Sequence, residues 1–153
     1  MSGSAERLGA AERQELVRSC LEARRVRSRP VISGYSVGAA LLGGDGRLYC
    51  AGNIECWGQT PSICAERTAL FKALSELCTD FAALAVCGGP ADREPEDFCT
   101  PCGVCRQVLL QFCPPDMPVL CVKRPREVRE YTLAQLLPDY WTRPGTSQQG
   151  EHP

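Results

Sequence analysis

The chain reads Cys64-Ala65-Glu66 in one segment and Pro101-Cys102-Gly103-Val104-Cys105 in another, and these two segments restrict its fold and chemistry most. Together they provide three thiols and one carboxylate. Zn²⁺ binds thiolates readily, and a catalytic zinc site usually has three protein ligands and a water molecule in the fourth position. Because Glu66 lies two residues from a ligand, its carboxylate can exchange protons with that water and with a substrate. The two segments therefore predict a catalytic metal centre with three cysteine ligands and Glu66 as the proton carrier.

Thiols at such spacings also serve other purposes. A lone C-x-x-C occurs in redox dithiols, iron–sulfur proteins and structural zinc sites. Cys99 precedes Cys102 and Cys105 at the same spacing, and ferredoxin-type clusters use C-x₂-C-x₂-C-x₃-C-P. The next Cys-Pro, at Cys113-Pro114, lies too far along the chain for that pattern. An iron–sulfur or structural zinc protein therefore stays the non-enzymatic alternative, and a redox dithiol would leave the Cys-Ala-Glu segment unexplained.

Only one histidine is present, His152, and it lies near the end of the chain. The ligands of the predicted centre are therefore thiolates alone: Cys64, Cys102 and Cys105. Three thiolates around Zn²⁺ leave a net negative charge, which weakens the effect of the metal on a bound water. Nearby positive charge has to compensate, and helix N-termini together with the Arg67 side chain can supply it.

The charge balance favours small-molecule chemistry over nucleic-acid binding. Lys and Arg number 17 against 18 Asp and Glu, whereas a nucleic-acid binder usually shows a basic stripe. Two short basic clusters, Arg24-Arg25-Val26-Arg27 and Lys123-Arg124-Pro125-Arg126, are interpreted as solvated surface charge. The 153 residues suffice for one domain, predicted over residues 1–141. Residues 142–153, rich in Pro, Gly, Ser and Gln without a pattern, are predicted to be disordered.

Cysteine usage bears on the compartment. Eleven cysteines is an odd number, so they cannot all pair within one chain. The first residues are polar and charged, without the apolar run of a secretory signal. No stretch is apolar for long enough to span a bilayer. We therefore expect reduced thiols, a cytoplasmic location and no membrane partner.

Strands and helices alternate along the chain, which predicts the α/β class with helices on a small mixed sheet. An amphipathic helix is expected over residues 8–27, with Leu16, Val17, Cys20 and Leu21 on one face. A short last helix opens with the capping box at Thr132. Strands are expected at 36–42, 47–51, 81–87, 117–122 and 128–131.

Two further helices are predicted to start at Thr60-Pro61 and Thr100-Pro101, because Thr can cap a helix and Pro suits its first position. Both starts place the ligand cysteines in first turns, where the positive helix end favours thiolates. The apolar sides of these helices are expected to carry Ile63, Leu70, Phe71, Leu74 and Leu77 in the first, and Val104, Val108, Leu109 and Phe112 in the second.

The chain resembles the small homotetrameric cytidine deaminases, whose zinc signature is a Cys or His ligand, a Glu two residues later, and P-C-x-x-C. The resemblance covers roughly residues 37 to 141. It rests on Val37-Gly38-Ala39-Ala40-Leu41, Asn53-Ile54-Glu55, Cys64-Ala65-Glu66-Arg67-Thr68-Ala69, Pro101-Cys102-Gly103-Val104-Cys105-Arg106-Gln107, and Leu136-Leu137-Pro138.

The resemblance implies a three-layer α/β/α fold with a mixed, mostly five-stranded sheet. It also implies a Zn²⁺-dependent enzyme of pyrimidine salvage that hydrolyses the C4 amino group of cytidine and deoxycytidine. In this family the three cysteines bind zinc, and the Glu that corresponds to Glu66 shuttles protons. Residues matched to substrate binding are Asn53 and Glu55 at the ribose hydroxyls, Tyr35 and Ala65 beside the nucleoside, and Trp141 reaching the site of a neighbouring subunit.

Two departures from the family pattern concern the nucleoside pocket. Tyr35-Ser36 stands where family members usually have Phe-Pro, and Cys56-Trp57-Gly58-Gln59 replaces the usual continuation of the Asn-Ile-Glu segment. Both surround the nucleoside, so the chemistry transfers more directly than the substrate. A deaminase of a modified cytosine nucleoside, such as blasticidin S, is therefore the alternative.

Overall fold

The strands form one mixed sheet in the order β2-β1-β3-β4-β5, in which only β3 and β4 are parallel. The computed structural model describes residues 8–146. Its elements in chain order are α1 (Ala10–Arg27), β1 (Tyr35–Gly43), β2 (Leu48–Gly52), α2 (Ala65–Ser75), β3 (Phe81–Pro90), α3 (Gly103–Phe112), β4 (Pro118–Arg124), β5 (Glu127–Thr132) and α4 (Leu133–Leu136).

Helices cover both faces of the sheet, which gives the expected three layers. Leu16, Val17 and Cys20 of α1 pack against Ala40 and Leu42 of β1 on one face. On the other face α2 and α3 pack against the alternate residues of the same strands, such as Leu84 and Val86 of β3, which lie in a second buried cluster. The alternation of side chains along each strand thus produces two separate cores.

Helix α1 lies unusually close to β1 because of Gly38. A Cβ atom at that position would lie 2.2 Å from the backbone N of Arg24 and from the backbone O of Cys20. No side chain fits at such distances, so glycine is needed for this contact of helix and strand. The contact brings Arg24 against the sheet, where it is buried.

The predicted starts of α2 and α3 are wrong. The N-cap residues are Cys64 for α2 and Cys102 for α3, rather than Thr60 and Thr100, and of the two only Cys102 accepts a capping hydrogen bond with its side chain. Ile63 pairs with Ile54 through two backbone hydrogen bonds of 2.9 Å, which hold the chain extended until Cys64. The Thr100 hydroxyl accepts a hydrogen bond from Arg106 instead of capping the helix.

Three of the residues assigned to apolar helix faces are exposed. Phe71 and Val104 are 43% and 57% exposed, and Leu77, beyond the end of α2, is 88% exposed. Ile63 precedes α2 instead of lying in it. Helical periodicity identifies an apolar side but does not show how far the neighbouring layer extends over it.

All eleven cysteines lie within residues 8–146, and none of them forms a disulfide. Among the described helices none is long and apolar enough to cross a membrane. Of the predicted disordered tail, residues 147–153 fall outside the described part. Within it, the Thr146 backbone N–H donates to the Arg143 carbonyl in a turn.

Candidate active site

The starts of two helices bring the three predicted metal ligands together. Cys64 and Cys102 are the N-cap residues of α2 and α3, and Cys105 lies in the first turn of α3. The three Sγ atoms all lie within 4.8 Å of one another. The Cys64 and Cys102 sulfurs are 3.7 Å apart. Within the described residues this is the one group of metal-binding side chains with such spacing.

The spacing of the sulfurs fits zinc. Tetrahedral Zn²⁺ binds thiolate sulfur at about 2.3 Å, which places two ligand sulfurs about 3.8 Å apart. The Cys64–Cys102 separation of 3.7 Å agrees with this value. An all-thiolate donor set also selects a soft metal over Mg²⁺ or Ca²⁺. The residues present therefore suit a zinc ion.

Hydrogen bonds join the thiols of this centre to one another and to Arg67, and they favour a thiolate at Cys64. The Cys105 backbone N–H donates to Cys102 Sγ at 3.4 Å, and Arg67 Nη2 donates to Cys64 Sγ at 3.5 Å. A hydrogen bond with Cys105 and this bond from Arg67 lower the pKa of the Cys64 thiol to about 5, although burial opposes them. Arg67 was predicted to offset the negative charge of the three thiolates. Its side chain contacts the sulfur of Cys64, one of the predicted ligands.

Glu66 is buried beside these thiols, with 3% of its surface exposed. It is the second residue of α2 and so follows closely after Cys64, the predicted ligand at the N-cap position of the same helix. Burial, and in addition the negative charge of Cys64, raise the pKa of Glu66 to about 7. A carboxyl with a pKa near neutrality both accepts and returns a proton readily, which is what proton transfer requires.

The raised pKa of Glu66 predicts a pH-dependent stability for the metal-free protein. The folded state favours the protonated carboxyl, so the stabilisation is complete below the ordinary pKa and is lost as the pH rises through about 7. Relative to Glu66→Gln, the free energy of unfolding of the wild type should fall by roughly 3 kcal/mol from about pH 4 to about pH 8. Urea unfolding of both metal-free proteins across this range measures it. Parallel curves would contradict the burial effect.

The residues matched to the ribose form a second group. Asn53 Oδ1 accepts from the Val37 backbone N–H at 2.8 Å, and its Nδ2 donates to the Tyr35 carbonyl at 2.8 Å. The Glu55 carboxylate accepts from the Ser33 backbone N–H at 3.1 Å and from the Ser33 hydroxyl at 3.1 Å. Asn53 is thus hydrogen-bonded to β1, and Glu55 is hydrogen-bonded to the loop that precedes β1.

The other residues that were matched to substrate binding differ in how much of their surface is exposed to solvent. Ala65 is fully buried between Cys64 and Glu66, whereas Tyr35 is 41% exposed and Trp141 is 69% exposed. The Trp141 carbonyl accepts from Gln107 Nε2 at 2.9 Å, so α3 holds the backbone of this segment. No hydrogen bond within the described residues joins Trp141 to the cysteine cluster.

Arg106 is a structural residue of the site that the sequence analysis did not single out. Its Nε donates to the Pro101 carbonyl at 2.6 Å and its Nη1 to the Leu136 carbonyl at 2.5 Å. The bonds join the loop before Cys102 to α4. The sequence did contain a signal for this role. Arg106 directly follows Cys105, and it is the one charged residue of α3, a short apolar helix.

The chain thus gathers three thiols at two helix starts beside a buried carboxyl, an arrangement of the kind that zinc-dependent deaminases use. Residues 10–121 match the family model described as the cytidine and deoxycytidylate deaminase zinc-binding region. The chain belongs to this family, and Zn²⁺ is its cofactor.

Individual relatives agree with this assignment. The chain is 39% identical to a cytidine deaminase of Sporosarcina psychrophila, over 85% of this chain and 93% of the relative. The crystal structure of the Burkholderia pseudomallei cytidine deaminase superposes with a TM-score of 0.74 at 36% identity, covering 83% of this chain and 97% of that one. A blasticidin-S deaminase of Bacillus cereus is 30% identical over 71% of this chain and 79% of its own length.

Proposed function

We propose that the protein catalyses the hydrolytic deamination of cytidine and deoxycytidine to uridine and deoxyuridine, the reaction of pyrimidine salvage. The observation that carries this proposal is the buried carboxyl of Glu66 beside the three clustered thiols. The identity to cytidine deaminases exceeds that to the blasticidin-S deaminase, which favours the simple nucleosides.

The proposed chemistry depends on proton transfers by Glu66. Cys64, Cys102 and Cys105 would hold a zinc ion, which supplies a Lewis acid that lowers the pKa of water. Glu66 takes a proton from the water that attacks C4 and delivers it to N3 of the ring. It then carries the second proton to the departing amine, so that ammonia leaves. Arg67 stabilises the thiolate of Cys64 through this cycle.

Recognition of the sugar is assigned to Asn53 and Glu55. A carboxylate that accepts a hydrogen bond from a sugar hydroxyl discriminates strongly, because a substrate without that hydroxyl leaves it unpaired. Glu55 already accepts two bonds from Ser33 and thus is held in place before a substrate arrives. Free cytosine should therefore be a poor substrate.

Glu55→Gln tests this assignment. We expect the KM for cytidine to rise about tenfold or more with a smaller change in kcat, because a binding contact is weakened. The slow reaction of free cytosine, which has no sugar, should not change. Glu76→Gln is the matched control, because it makes the same substitution at a glutamate beyond the far end of α2. An equal rise of KM in the control would show that the effect is not specific to Glu55.

A substrate panel tests the function itself. Ammonia release is measured with cytidine, deoxycytidine, cytosine, blasticidin S and single-stranded DNA at equal concentrations. Fast turnover of the first two is expected, with cytosine reacting only slowly and the last two not at all. Turnover of blasticidin S but not of cytidine would establish the alternative, a deaminase of a modified cytosine nucleoside. Cys56, Trp57 and Gln59, at which the chain departs from the family pattern, are compatible with that substrate. Turnover of DNA would contradict the proposed absence of a nucleic-acid partner, which the balanced charge supports.

We also propose a cytoplasmic homotetramer in which Trp141 closes the pocket of a neighbouring subunit. Its exposed side chain and anchored backbone are consistent with a contact outside its own subunit. Trp141→Ala should raise the KM for cytidine severalfold. Leu77→Ala, which removes an exposed apolar side chain that the proposed site does not include, provides the comparison. Light scattering that finds a fully active monomer would overturn the proposed assembly.

A further inference from the structure

Residues 136–141 lead out of α4 and are hydrogen-bonded to α3 at both ends. Arg106 Nη1 donates to the Leu136 carbonyl at 2.5 Å, and Gln107 Nε2 donates to the Trp141 carbonyl at 2.9 Å. The two donors are consecutive residues, and they directly follow the last of the three clustered cysteines. The helix that carries a predicted metal ligand therefore also holds the segment that ends at Trp141.

The backbone between these two bonds has no regular structure. Leu137 and Tyr140 pack against the core that lies between the sheet and the helices α2 and α3. Asp139, in the turn between them, has a φ of 50°, in the left-handed region that few side chains adopt. Among residues 8–146, the bond from Gln107 is the one hydrogen bond to the backbone of Trp141. The position of this backbone therefore depends on Gln107.

The side chain of Trp141 is exposed although its backbone is held. An exposed ring on a free backbone samples many positions, and a contact that uses the ring has to order both the backbone and the side chain. When a bond already fixes the backbone, only the two torsions of the side chain are left to order. Gln107 thus lowers the entropy cost of any contact that the ring makes.

We propose that Gln107 is a positioning residue for Trp141 and holds the ring where a neighbouring subunit can use it. This inference rests on the proposed homotetramer, in which Trp141 closes the pocket of a neighbour. Because Gln107 donates to the backbone carbonyl, it acts on the nucleoside only through the ring. Arg106 also donates to the loop before Cys102, so its loss would disturb a metal ligand as well. Gln107 is therefore the residue to vary.

Gln107→Ala tests the proposal through the KM for cytidine. We expect KM to rise about three- to tenfold with a smaller change in kcat, because loss of one hydrogen bond weakens binding by about that factor. One zinc ion per chain should remain. Gln14→Ala, the same substitution at an exposed position of α1, is the matched control and should leave KM unchanged. Loss of zinc from Gln107→Ala would reveal a defect of the ligand helix and would overturn the proposed role.

The double variant Gln107→Ala/Trp141→Ala separates action through the ring from a general effect on the pocket. The bond from Gln107 ends at a backbone carbonyl, which Trp141→Ala retains. If the bond acts only through the ring, Gln107→Ala should raise KM no further once the ring is absent. We expect the double variant to lie within about 1.5-fold of Trp141→Ala. Multiplication of the two single effects would overturn the proposal.

Time-resolved anisotropy of tryptophan fluorescence tests the positioning without a substrate. The chain has two tryptophans, so in a Trp57→Phe background the signal comes from Trp141 alone. Gln107→Ala in this background should enlarge the fast component of local motion, which is distinct from the tumbling of the protein. Unchanged local motion would overturn the positioning role. Larger local motion together with a normal KM in Trp141→Ala would confirm that Gln107 positions the ring and would contradict the shared pocket.

Discussion

Glu66→Gln should reduce the kcat for cytidine by about 10²- to 10⁴-fold while the protein keeps one zinc ion per chain. The amide of Gln has nearly the same shape as the carboxyl, but it cannot take a proton from water or return one to the ring. The side chain is almost completely buried, so bulk water cannot easily replace it as a proton carrier. Uridine formation and elemental analysis for zinc measure the two quantities.

Glu76→Gln is the matched control for this variant. It changes an exposed glutamate at the far end of the same helix, and its rate should equal that of the wild type. Near-normal turnover by Glu66→Gln would remove Glu66 from the mechanism. Loss of zinc from Glu66→Gln would instead show that the carboxylate is needed for metal binding.

Cys102→Ala should lose the metal, and with it the activity. Three thiolates are the smallest set that holds zinc in an open catalytic site, so removal of one leaves two ligands. Cys102 also caps α3, where its sulfur accepts the Cys105 backbone N–H. The helix start will therefore be weakened in addition. Zinc per chain, measured after dialysis against a weak chelator, should fall far below one.

Cys99→Ala distinguishes zinc from the alternative cluster. Cys99 lies three residues before Cys102 but is absent from the group of convergent sulfurs. Its removal should leave zinc content unchanged, whereas an iron–sulfur centre that used the repeated spacing would lose its iron. Full zinc loading of Cys102→Ala would contradict the proposed ligands.

The convergence of the three thiols was predictable because the residues are close in sequence within each segment. Cys102 and Cys105 fall in one helical turn, and Glu66 follows its ligand at a fixed short spacing. The strands were predictable from continuous apolar runs such as the one that forms β3. Local spacing was therefore enough to predict the cysteine cluster and the strands of the sheet.

Contacts between distant segments were not predictable in this way. The start of α2 is delayed by the pairing of Ile63 with Ile54, and sequence patterns give no sign of that pairing. Arg24 looks like any helical arginine until Gly38 lets α1 approach β1 and buries it. The role of Arg106 likewise depends on α4, which lies far along the chain.

Uridine formation as a function of zinc content tests the central claim most directly. The metal is removed with a chelator and restored in steps, and the rate with cytidine is measured at each zinc-to-chain ratio. A rate that rises in proportion to zinc, from near zero to a maximum at one ion per chain, is the predicted result. A metal-free protein that deaminates cytidine at the full rate, or a zinc-loaded one that does not deaminate it, would contradict the account.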